Sequence, residues 1–372
     1  MKIIQLITCS ESFGGAEAHV RDLAIGLRAR GHDCIVMGPG PGLFADQLRA
    51  NGVPLISIPA LKKRIHPFWD LIGVLQVIIA LRQLRPDIIA THTSKAGLIG
   101  RVAARLMGVP SSFTPHGLSF VNRQNGKLIR FRLIMERLAL RLGSRMITVC
   151  EAERKLAIDH LKIKESDIAT IHNCLPDLQL SDERRQDRVV ITMIARFDVQ
   201  KDHVTLFRAL AVLLHLEWEL CLGGAGPSLS SAMKMAEALG LSSRISFLKQ
   251  CSDTPRLLAQ SDIFALISNW EAFPISILEA MRAGLPVIAT DTGGVSEAVE
   301  NEVNGFLVHP RDSAKLAERL ALLITSSGLR RSMGSRSRHR FSHHFEWRSM
   351  LDKTEALYAL AVNYVSPTEV LQ

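Results

Sequence analysis

Short apolar runs alternate with helical stretches along the whole chain, and this alternation constrains the fold more than any other feature. In the first half, the runs rich in β-branched or apolar residues lie at 3–8, 34–37, 88–92, 112–116 and 146–149. In the second half they lie at 189–195, 219–222, 245–248, 263–267, 287–289 and 306–308. Strands that alternate with helices form parallel sheets covered on both faces. We therefore predict an α/β fold with doubly wound parallel sheets.

The length of the chain indicates more than one domain. Its 372 residues are more than a domain with a single hydrophobic core usually contains. A polar segment at 181–188, SDERRQDR, separates the two series of strands. We predict a first Rossmann-like domain at 1–180 and a second at 181–345, facing a central cleft. Apolar residues at helical spacing in the tail, 346–372, predict a closing helix that packs back on the first domain.

Composition and cysteine content indicate an ordinary globular protein in a reducing compartment. Hydrophobic residues make up 47% of the chain and charged residues 22%, which excludes a disordered or collagen-like chain. The six cysteines are scattered, with no Cys-x-x-Cys pair and no His pair at zinc spacing, so we expect reduced thiols and a cytoplasmic protein. The first apolar run is too short for a signal peptide, and the stretch 71–84 is too short to span a bilayer. We expect no membrane-spanning segment.

The net charge of +9 is unevenly distributed. Residues 1–175 contain 24 Lys and Arg against 13 Asp and Glu, a net charge of +11, which leaves −2 for the rest. A basic surface of this kind suits nucleic acid, an anionic membrane or a phosphorylated substrate. Because no helix-turn-helix, zinc motif or aromatic platform accompanies it, we expect no nucleic-acid partner.

Basic residues are densest where they are interleaved with apolar ones: Arg123, Lys127, Arg130, Arg132, Arg137, Arg141 and Arg145. A basic amphipathic helix suggests contact with an anionic membrane surface, on the inner face of the cytoplasmic membrane. A core helix with a solvated basic face explains the same pattern equally well. The sequence leaves both interpretations open.

The segment EAFPISILEAMRAGLPVIATDTGG, 271–294, places two carboxylates around a helix start. Pro274 suits the first helical position, so a helix is predicted from 274 to 284, where Gly-Leu-Pro ends it. Glu271 then lies in the preceding loop and Glu279 within the helix. A carboxylate at the position of Glu279 suits a ribose diol, although a lone helical Glu is more often only solvated.

Three further elements of the second half suit an anion. Arg196 follows the first strand of that series, and Lys201 precedes the next helix, so the two cations converge on a strand end. Gly223 and Gly224 end the next strand in a glycine-rich turn. The backbone N–H groups at the start of the predicted helix are the third element, and they belong to Phe273, Ile275 and Ser276. A surface cation pair without a ligand is the alternative for Arg196 and Lys201.

The first half has a glycine-rich turn of its own. Gly14 and Gly15, within SFGGAEAHV, open the first helix after the first strand. This turn suits the close approach of an anion but is not a dinucleotide fingerprint, because GxGxxG is absent. A tight turn without a ligand is the alternative.

Polar residues follow two further strands of the first half. ATHTSKAG places His92, Ser94 and Lys95 at one strand end, and FTPHGLSF places His116 at another. We interpret them as the floor of a binding site. A lone histidine such as His19 is interpreted as structural.

Together these segments resemble the family 4 glycosyltransferases of the GT-B fold, and the likeness covers nearly the whole chain. The specific feature is the ordered set FGGAE, HTSKAG, TPHG, ARFDVQK, GGAGP, EAFPISILEAMRAGLPVIATDTGG and NGFLV. The Glu-x7-Glu spacing of Glu271 and Glu279 is its strongest member. The sequence departs from the common pattern at Ala272, where Gly is frequent, and at Lys249, where Gly is usual in the turn that contacts the base.

The resemblance implies a metal-independent transfer of a hexosyl or N-acetylhexosaminyl group from a nucleotide-diphosphate sugar, with retention at the anomeric carbon. We expect the donor to be a UDP-sugar. The acceptor implied is a glycan of a bacterial surface polysaccharide, carried on polyprenyl diphosphate. No cofactor is implied.

The residues that the resemblance assigns are as follows: Arg196 and Lys201 at the leaving diphosphate, Glu271 and His116 near the transferred sugar, Glu279 at the ribose, and Gly14 with Gly15 near the donor phosphate and the acceptor. Phe247 and Leu248 fall in the base-contacting turn, and Pro274 lies with Phe273, Ile275 and Ser276 on the donor. His92, Ser94 and Lys95 are expected on the acceptor side.

Two other functions remain open. A sugar-nucleotide 2-epimerase of the same fold would share the donor site but need no acceptor, and the basic helix would then go unexplained. A noncatalytic sugar-nucleotide-binding scaffold is a different class of answer, which the presence of all four charged site residues disfavours. The product formed separates a transferase from an epimerase. Donor binding without turnover would support the scaffold.

Overall fold

A computed structural model describes residues 1–8, 14–61, 66–121, 126–179, 188–249 and 253–363. Arg123, the polar segment 181–187, Cys9 and Cys251 lie outside the described residues, as does the end of the predicted closing helix. The chain divides into two compact units, one of residues 1–173 with the segment that starts at Arg348, the other of Cys174–Trp347.

The first unit contains a seven-stranded parallel sheet in the order β3-β2-β1-β4-β5-β6-β7. Its strands are β1 Lys2–Ile7, β2 Asp33–Gly38, β3 Leu55–Ser57, β4 Ile88–His92, β5 Ser111–Thr114, β6 Ser144–Thr148 and β7 Ile168–Thr170. The five strands predicted from sequence are confirmed within two residues at each end. β3 and β7 were not predicted, because three-residue strands carry too little apolar pattern.

Helices connect these strands: α1 Gly15–Ala29, α2 Leu43–Ala50, α3 Pro67–Leu84, α4 Ser94–Met107, α5 Gly126–Leu140 and α6 Glu151–Leu156, which continues into a π-helical turn at Ala157–Leu161. Right-handed crossovers place α1 and α2 on one face of the sheet and α3 to α6 on the other, because the strand order reverses direction after β3. Ile4 and Leu6 of β1 pack with Val77 of α3 and Ile99 of α4 in one core cluster.

α4 lies unusually close to its sheet. A Cβ atom on Gly97 would lie 2.4 Å from the ring of Phe113, and one on Gly100 would lie 2.4 Å from Thr91. These two positions therefore need glycine for packing. The close approach fixes the start of α4 relative to the ends of β4 and β5.

The second unit contains a six-stranded parallel sheet in the order β10-β9-β8-β11-β12-β13. Its strands are β8 Val189–Ile194, β9 Trp218–Gly223, β10 Ile245–Leu248, β11 Ile263–Leu266, β12 Val287–Thr290 and β13 Gly305–Val308, all predicted from sequence within one residue. Its helices are α7 His203–Ala211, α8 Leu229–Ala238, α9 Thr254–Ala259, α10 Ile275–Arg282, α11 Val295–Ala298, α12 Ser313–Thr325 and α13 Ser327–His344. The predicted α/β class with two doubly wound parallel sheets is confirmed.

The closing helix, α14 Trp347–Asn363, packs within the first unit. Tyr358 is fully buried, and its hydroxyl accepts a hydrogen bond of 3.3 Å from the side-chain amide of Gln5 in β1. Arg30 donates to Asp352 at 2.6 Å and to Glu355 at 2.8 Å. α14 therefore packs over β1, an interior strand of the seven-stranded sheet.

Candidate active site

In the second unit, the predicted donor residues gather at the carboxyl ends of neighbouring strands, where open parallel sheets bind ligands. Arg196 follows β8, Gly223 ends β9, Leu248 ends β10 and Glu271 follows β11. The sheet order places these four strand ends side by side.

Glu271 and Lys201 form an ion pair across two of these loops. The Lys201 ammonium donates to Glu271 Oε1, and both side chains are largely buried, with 13% and 6% exposed. Ser268 Oγ donates to the same oxygen at 2.6 Å, and Gln200 Nε2 donates to Oε2 at 3.2 Å. The carboxylate is thus held by three side chains, and much of the Lys201 charge is already neutralised.

Arg196 differs from Lys201 in its surroundings. Its Nε lies 3.8 Å from Asp198 Oδ2, beyond hydrogen-bond distance, and is buried with no hydrogen-bond partner within the described ranges. The side chain is 38% exposed. A buried donor without a partner carries a free-energy cost that an incoming anion removes. Arg196 is therefore ready to accept an anion, while Lys201 is engaged with Glu271.

The helix after Glu271 starts one residue later than predicted and ends earlier. Pro274 is the N-cap of α10, and Ile277 N–H donates to its carbonyl at 3.2 Å. Ile275 and Ser276 therefore occupy the first two helical positions, where backbone N–H groups have no partner within the helix. Glu279 follows one turn later and is half-buried.

The sequence predicts a ligand at the glycine-rich turn after β9, and the structure adds a packing role for one of its glycines. Gly224 has φ +144°, and a Cβ atom there would lie 2.1 Å from the carbonyl oxygen of Ala195. Its N–H donates to Leu248 O at 2.9 Å. Gly224 therefore lets the β9 turn pack against the backbone that precedes Arg196, so this turn positions the arginine.

Gly293, in the DTGG segment, has the same kind of role. It has φ +58°, and a Cβ atom there would lie 2.0 Å from the carbonyl oxygen of Glu271. The neighbouring Gly294 N–H donates to Ala272 O at 2.7 Å. The loop after β12 thus supports the backbone that carries Glu271.

Two predicted donor residues contribute mainly packing. Phe273 is 3% exposed, and its ring lies 5.5 Å from that of Phe345. The ring of Phe247, in the edge strand β10, lies 6.1 Å from that of Phe197, while Leu248 is 37% exposed. Of these three residues, Leu248 is the most exposed.

In the first unit, three histidines come together at the ends of β4 and β5. His92 Nδ1 lies 2.9 Å from His116 Nε2, and the two rings stack with centroids 5.2 Å apart. His19 of α1 approaches edge-on, with its centroid 4.8 Å from that of His116. The prediction that His19 is merely structural missed this contact, because spatial proximity across 73 or more positions leaves no local signal.

A chain of hydrogen bonds fixes which ring nitrogens carry protons. Gln5 uses its NH₂ group toward Tyr358, so its Oε1 accepts from His92 Nε2–H at 2.6 Å. His92 Nδ1 must then be the acceptor for His116 Nε2–H. His116 consequently keeps Nδ1 as an acceptor.

Burial of the three histidines lowers their pKa values and so favours their neutral forms at pH 7. Burial lowers the pKa values of His92 and His116 well below the usual range, and proximity to His19 lowers them further. Burial also lowers the pKa of His19 to about 4, against a hydrogen bond with Asn173. Their ring nitrogens lie within 4.8 Å of one another, close enough for metal ligands. Both nitrogens of His92 already have partners, however, so a metal ion would have to break the bond to His116 or to Gln5.

A buried carboxyl that the sequence did not reveal supports the turn at His116. Glu153 Oε1 accepts from Gly117 N–H at 2.9 Å, and Oε2 accepts from Val149 N–H at 3.2 Å. Burial raises the pKa of Glu153 to about 7, opposed by these backbone bonds. His116 itself has φ +53°. Glu153 thus holds a left-handed turn that presents the histidine.

The other predicted residues of the first unit occupy helix starts. Ser94 is the first residue of α4, and Gly14 is the N-cap of α1, with Gly15 following. Lys95 forms an ion pair of 2.6 Å with Asp70 of α3. Its charge is therefore partly compensated from a neighbouring helix.

The basic helix divides its arginines between two roles. Arg132 donates to Ser119 O at 2.9 Å, and Arg137 donates twice to His160 O, at 2.9 and 2.7 Å. These arginines bind backbone carbonyls of their own unit. Lys127, Arg130 and Arg141 are exposed.

Comparison with known proteins places the chain in a family. The model of the family described as Glycosyltransferase Family 4 matches residues 13–177, and that of Glycosyl transferases group 1 matches residues 179–340. This chain belongs to the family 4 glycosyltransferases. This glycosyltransferase is thus an enzyme, and its two matched segments correspond to the two series of strands.

Curated relatives of this glycosyltransferase cover most of its length. The UDP-Gal:alpha-D-GlcNAc-diphosphoundecaprenol alpha-1,3-galactosyltransferase of Escherichia coli is 27% identical, over 87% of this chain and 87% of its own. The N,N'-diacetylbacillosaminyl-diphospho-undecaprenol alpha-1,3-N-acetylgalactosaminyltransferase of Campylobacter jejuni is 26% identical, over 77% of this chain and 81% of its own.

Among solved structures, HepE of Anabaena in complex with UDP and glucose has a similar fold. Its TM-score is 0.83 at 23% identity, covering 96% of this chain and 99% of that one. The glycosyltransferase therefore shares the GT-B fold of this structure.

Proposed function

We propose that this glycosyltransferase moves a hexosyl or N-acetylhexosaminyl group from a UDP-sugar to a glycan acceptor carried on polyprenyl diphosphate, with retention at the anomeric carbon. The enzyme acts in the synthesis of a bacterial polysaccharide or glycolipid. It works in the cytoplasm, at the inner face of the cytoplasmic membrane.

One observation carries the donor site. Lys201 and Glu271, 70 positions apart in sequence, meet at the carboxyl edge of the second sheet, three residues before the N-cap of α10. The Glu271 carboxylate and the first N–H groups of α10 lie on one short segment, and Lys201 joins them from another loop. This combination suits a sugar diphosphate, whose phosphates need donors and whose sugar hydroxyls need acceptors.

Arg196 and Lys201 have different tasks in this proposal. Arg196, with its buried and unpartnered Nε, stabilises the negative charge that develops on the leaving diphosphate. Lys201 has three N–H donors, so it can keep Glu271 and still donate to a phosphate oxygen. Glu271 then accepts from sugar hydroxyls, and Glu279 accepts from the ribose.

The chemistry needs no protein nucleophile. The bond between the anomeric carbon and the phosphate oxygen breaks, the acceptor oxygen bonds to the same face of that carbon, and the departing phosphate takes the acceptor proton. Charge stabilisation by Arg196 and Lys201 replaces a metal ion in this scheme. Activity is accordingly expected to persist after treatment with EDTA.

Donor and acceptor classes rest on the similar proteins. The E. coli relative is named for UDP-Gal and a GlcNAc-diphosphoundecaprenol, and the C. jejuni relative for another diphospho-undecaprenol acceptor. The HepE structure contains UDP and glucose. Carried to this chain, these names support a UDP-sugar and a lipid-linked glycan.

A product assay tests the proposal. The protein is incubated with UDP-glucose, UDP-galactose or their N-acetylhexosamine counterparts and with synthetic polyprenyl-diphosphate sugars, and the lipid product is analysed by mass spectrometry. A mass gain of one sugar, with an α-linkage by NMR, is expected for one donor. Interconversion of the UDP-sugar without an acceptor would instead identify an epimerase, and UDP binding without any product would identify a scaffold.

A further inference from the structure

Helix α3 carries an apolar stripe on its solvent side. Phe68, Leu71, Leu75 and Ile79 are spaced three or four residues apart and are 63%, 61%, 52% and 56% exposed. This set is called the α3 stripe below. Residues on the opposite side of the helix, such as Val77, pack into the core. Burial in the protein therefore explains only one face of the helix.

The sequence prediction concerning this helix needs correction. The stretch 71–84, expected to be too short to span a bilayer, is part of a longer helix, α3 Pro67–Leu84. Its 18 residues, with a mean hydropathy of 1.3, are long and apolar enough to cross a membrane by length and composition. Four buried residues, Gly73, Val77, Ala80 and Leu81, tie it to the rest of the unit. A helix held along one side in this way can lie on a bilayer but not span it.

A second stripe lies on α5. Phe131, Ile134 and Leu138 are 52%, 54% and 49% exposed and again follow helical spacing; they are called the α5 stripe below. α4 packs against both α3 and α5, on the same face of the sheet. At the end of α4, Leu106 is 68% exposed. Three neighbouring helices thus present apolar side chains to solvent on one side of the unit.

The charge of the same segment is strongly positive. Residues 62–145 contain 15 Lys and Arg against three Asp and Glu, a net charge of +12, which exceeds the +9 of the whole chain. Three successive basic residues, Lys62, Lys63 and Arg64, precede α3 in the sequence. Exposed Lys127, Arg130 and Arg141 flank the α5 stripe.

Each acid of this segment already has a partner. Asp70 pairs with Lys95 at 2.6 Å, and Glu136 is buried against Arg101 at 2.9 Å. Asp87 accepts from the backbone N–H of Lys2 at 2.7 Å. Little negative charge is therefore left to oppose an anionic partner. Apolar stripes with aromatic residues, flanked by Lys and Arg, are the pattern of helices that lie in a membrane interface.

We propose that the α3 and α5 stripes dock on the headgroup boundary of an anionic bilayer, with α4 between them. The membrane surface rests on the proposed function, because the proposed polyprenyl-diphosphate acceptor is embedded in a bilayer. The sequence assigned membrane contact to one basic amphipathic helix at 123–145. The structure points instead to apolar side chains on two helices, because Arg132 and Arg137 bind backbone carbonyls.

Sedimentation of the full chain with vesicles tests this surface. The protein is mixed with vesicles of phosphatidylcholine alone or of phosphatidylcholine with phosphatidylglycerol, at low and high salt. We expect binding to the anionic vesicles, weakened by salt. The double variant Leu75→Gln/Ile79→Gln should lower the partition coefficient by about tenfold or more, since two half-exposed apolar side chains are lost.

Matched variants keep the test specific. Val212→Gln/Leu322→Gln changes two exposed apolar residues of the second unit, 65% and 42% exposed, and should bind vesicles as the original chain does. Arg130→Gln/Arg141→Gln should weaken binding by about tenfold, whereas Arg331→Gln/Arg336→Gln, also exposed, should not.

Several results would overturn the proposal. The protein could fail to bind either kind of vesicle, or bind neutral and anionic vesicles equally. The Leu75→Gln/Ile79→Gln variant could also bind as well as the original chain. If light scattering shows a dimer for the original chain and a monomer for that variant, with no change in vesicle binding, the stripes belong to a contact with a second copy of the chain. UDP binding by each variant is measured separately, so that failure of the donor site is distinguishable from failure of the membrane surface.

Discussion

His92 Nδ1 lies 2.9 Å from His116 Nε2, and this contact sets the proton on the histidine predicted to lie next to the transferred sugar. The chain of hydrogen bonds continues from His92 to Gln5, and from Gln5 to Tyr358 of the closing helix. Gln5 and His92 thus decide that His116 offers Nδ1 as an acceptor. His92 and Gln5 are positioning residues in this arrangement.

The variant Gln5→Leu tests the relay. It removes the acceptor of His92 Nε2–H and leaves a buried donor unsatisfied, so unfolding free energy should fall by about 1–3 kcal/mol. With the tautomer no longer fixed, turnover should fall more than UDP affinity. Nitrogen-15 chemical shifts of the His116 ring should change from a single tautomer to a mixture. An unchanged His116 spectrum would show that Gln5 does not set the tautomer.

Stability should fall as pH decreases from about 6.5 toward 4. The pKa values of His19, His92, His116 and His203 are all lowered by burial, to about 4 for His19 and His203. The unfolded chain then binds more protons than the folded chain below pH 6.5, so acid favours unfolding. Glu153, whose pKa is raised to about 7, acts in the opposite direction, because its stabilising protonated form is lost as pH rises from 4.5 through 7.

Urea denaturation at a series of pH values checks this expectation. Four histidines outweigh one carboxyl, so the net slope between pH 6.5 and 4 should be positive, with stability rising with pH. A flat profile over this range would contradict neutral, buried histidines.

Gly293→Ala should disturb the candidate donor site from outside it. The added Cβ would lie 2.0 Å from Glu271 O in a left-handed conformation, so the loop that carries Glu271 must shift. We expect a loss of about 1–3 kcal/mol in stability, together with weaker UDP binding. Gly328→Ala is the control, since a Cβ there meets nothing within 4 Å. Equal behaviour of the two variants would rule out this role for Gly293.

Glu271→Gln should separate binding from catalysis. Removal of the carboxylate charge frees the Lys201 ammonium for a phosphate, so UDP should bind a few-fold more tightly. Turnover should fall, because the acceptor for the sugar hydroxyls is weakened. Calorimetry with UDP and initial rates with the sugar nucleotide give the two quantities. Weaker UDP binding by this variant would show that Glu271 supports the diphosphate site rather than opposing it.

The sequence predicted the sheets well, because strands of four or more apolar residues carry their own pattern. It missed β3 and β7, each of three residues. It considered only the apolar stretch 71–84 of α3, although Pro67 indicated an earlier helix start.

The candidate site was less predictable than the fold. Strand ends located Arg196, Lys201, Glu271 and His116 correctly at sheet edges, because parallel topology alone brings strand ends together. The pairing of Lys201 with Glu271 and the burial of Glu153 depend on side-chain packing between distant segments. The same is true of the close packing of Gly224 against the Ala195 carbonyl.

The most direct test of the central claim is thermal unfolding in the presence of UDP, GDP, ADP and a panel of UDP-sugars. A ligand at about 100 times its dissociation constant should stabilise the fold by about 2.7 kcal/mol. We predict a UDP-selective rise in Tm that Arg196→Ala and Glu279→Ala abolish and that Arg188→Ala, an exposed control in the same unit, retains. A Tm that no nucleotide raises, or a rise that survives both site variants, would contradict a nucleotide-sugar site at the carboxyl edge of the second sheet.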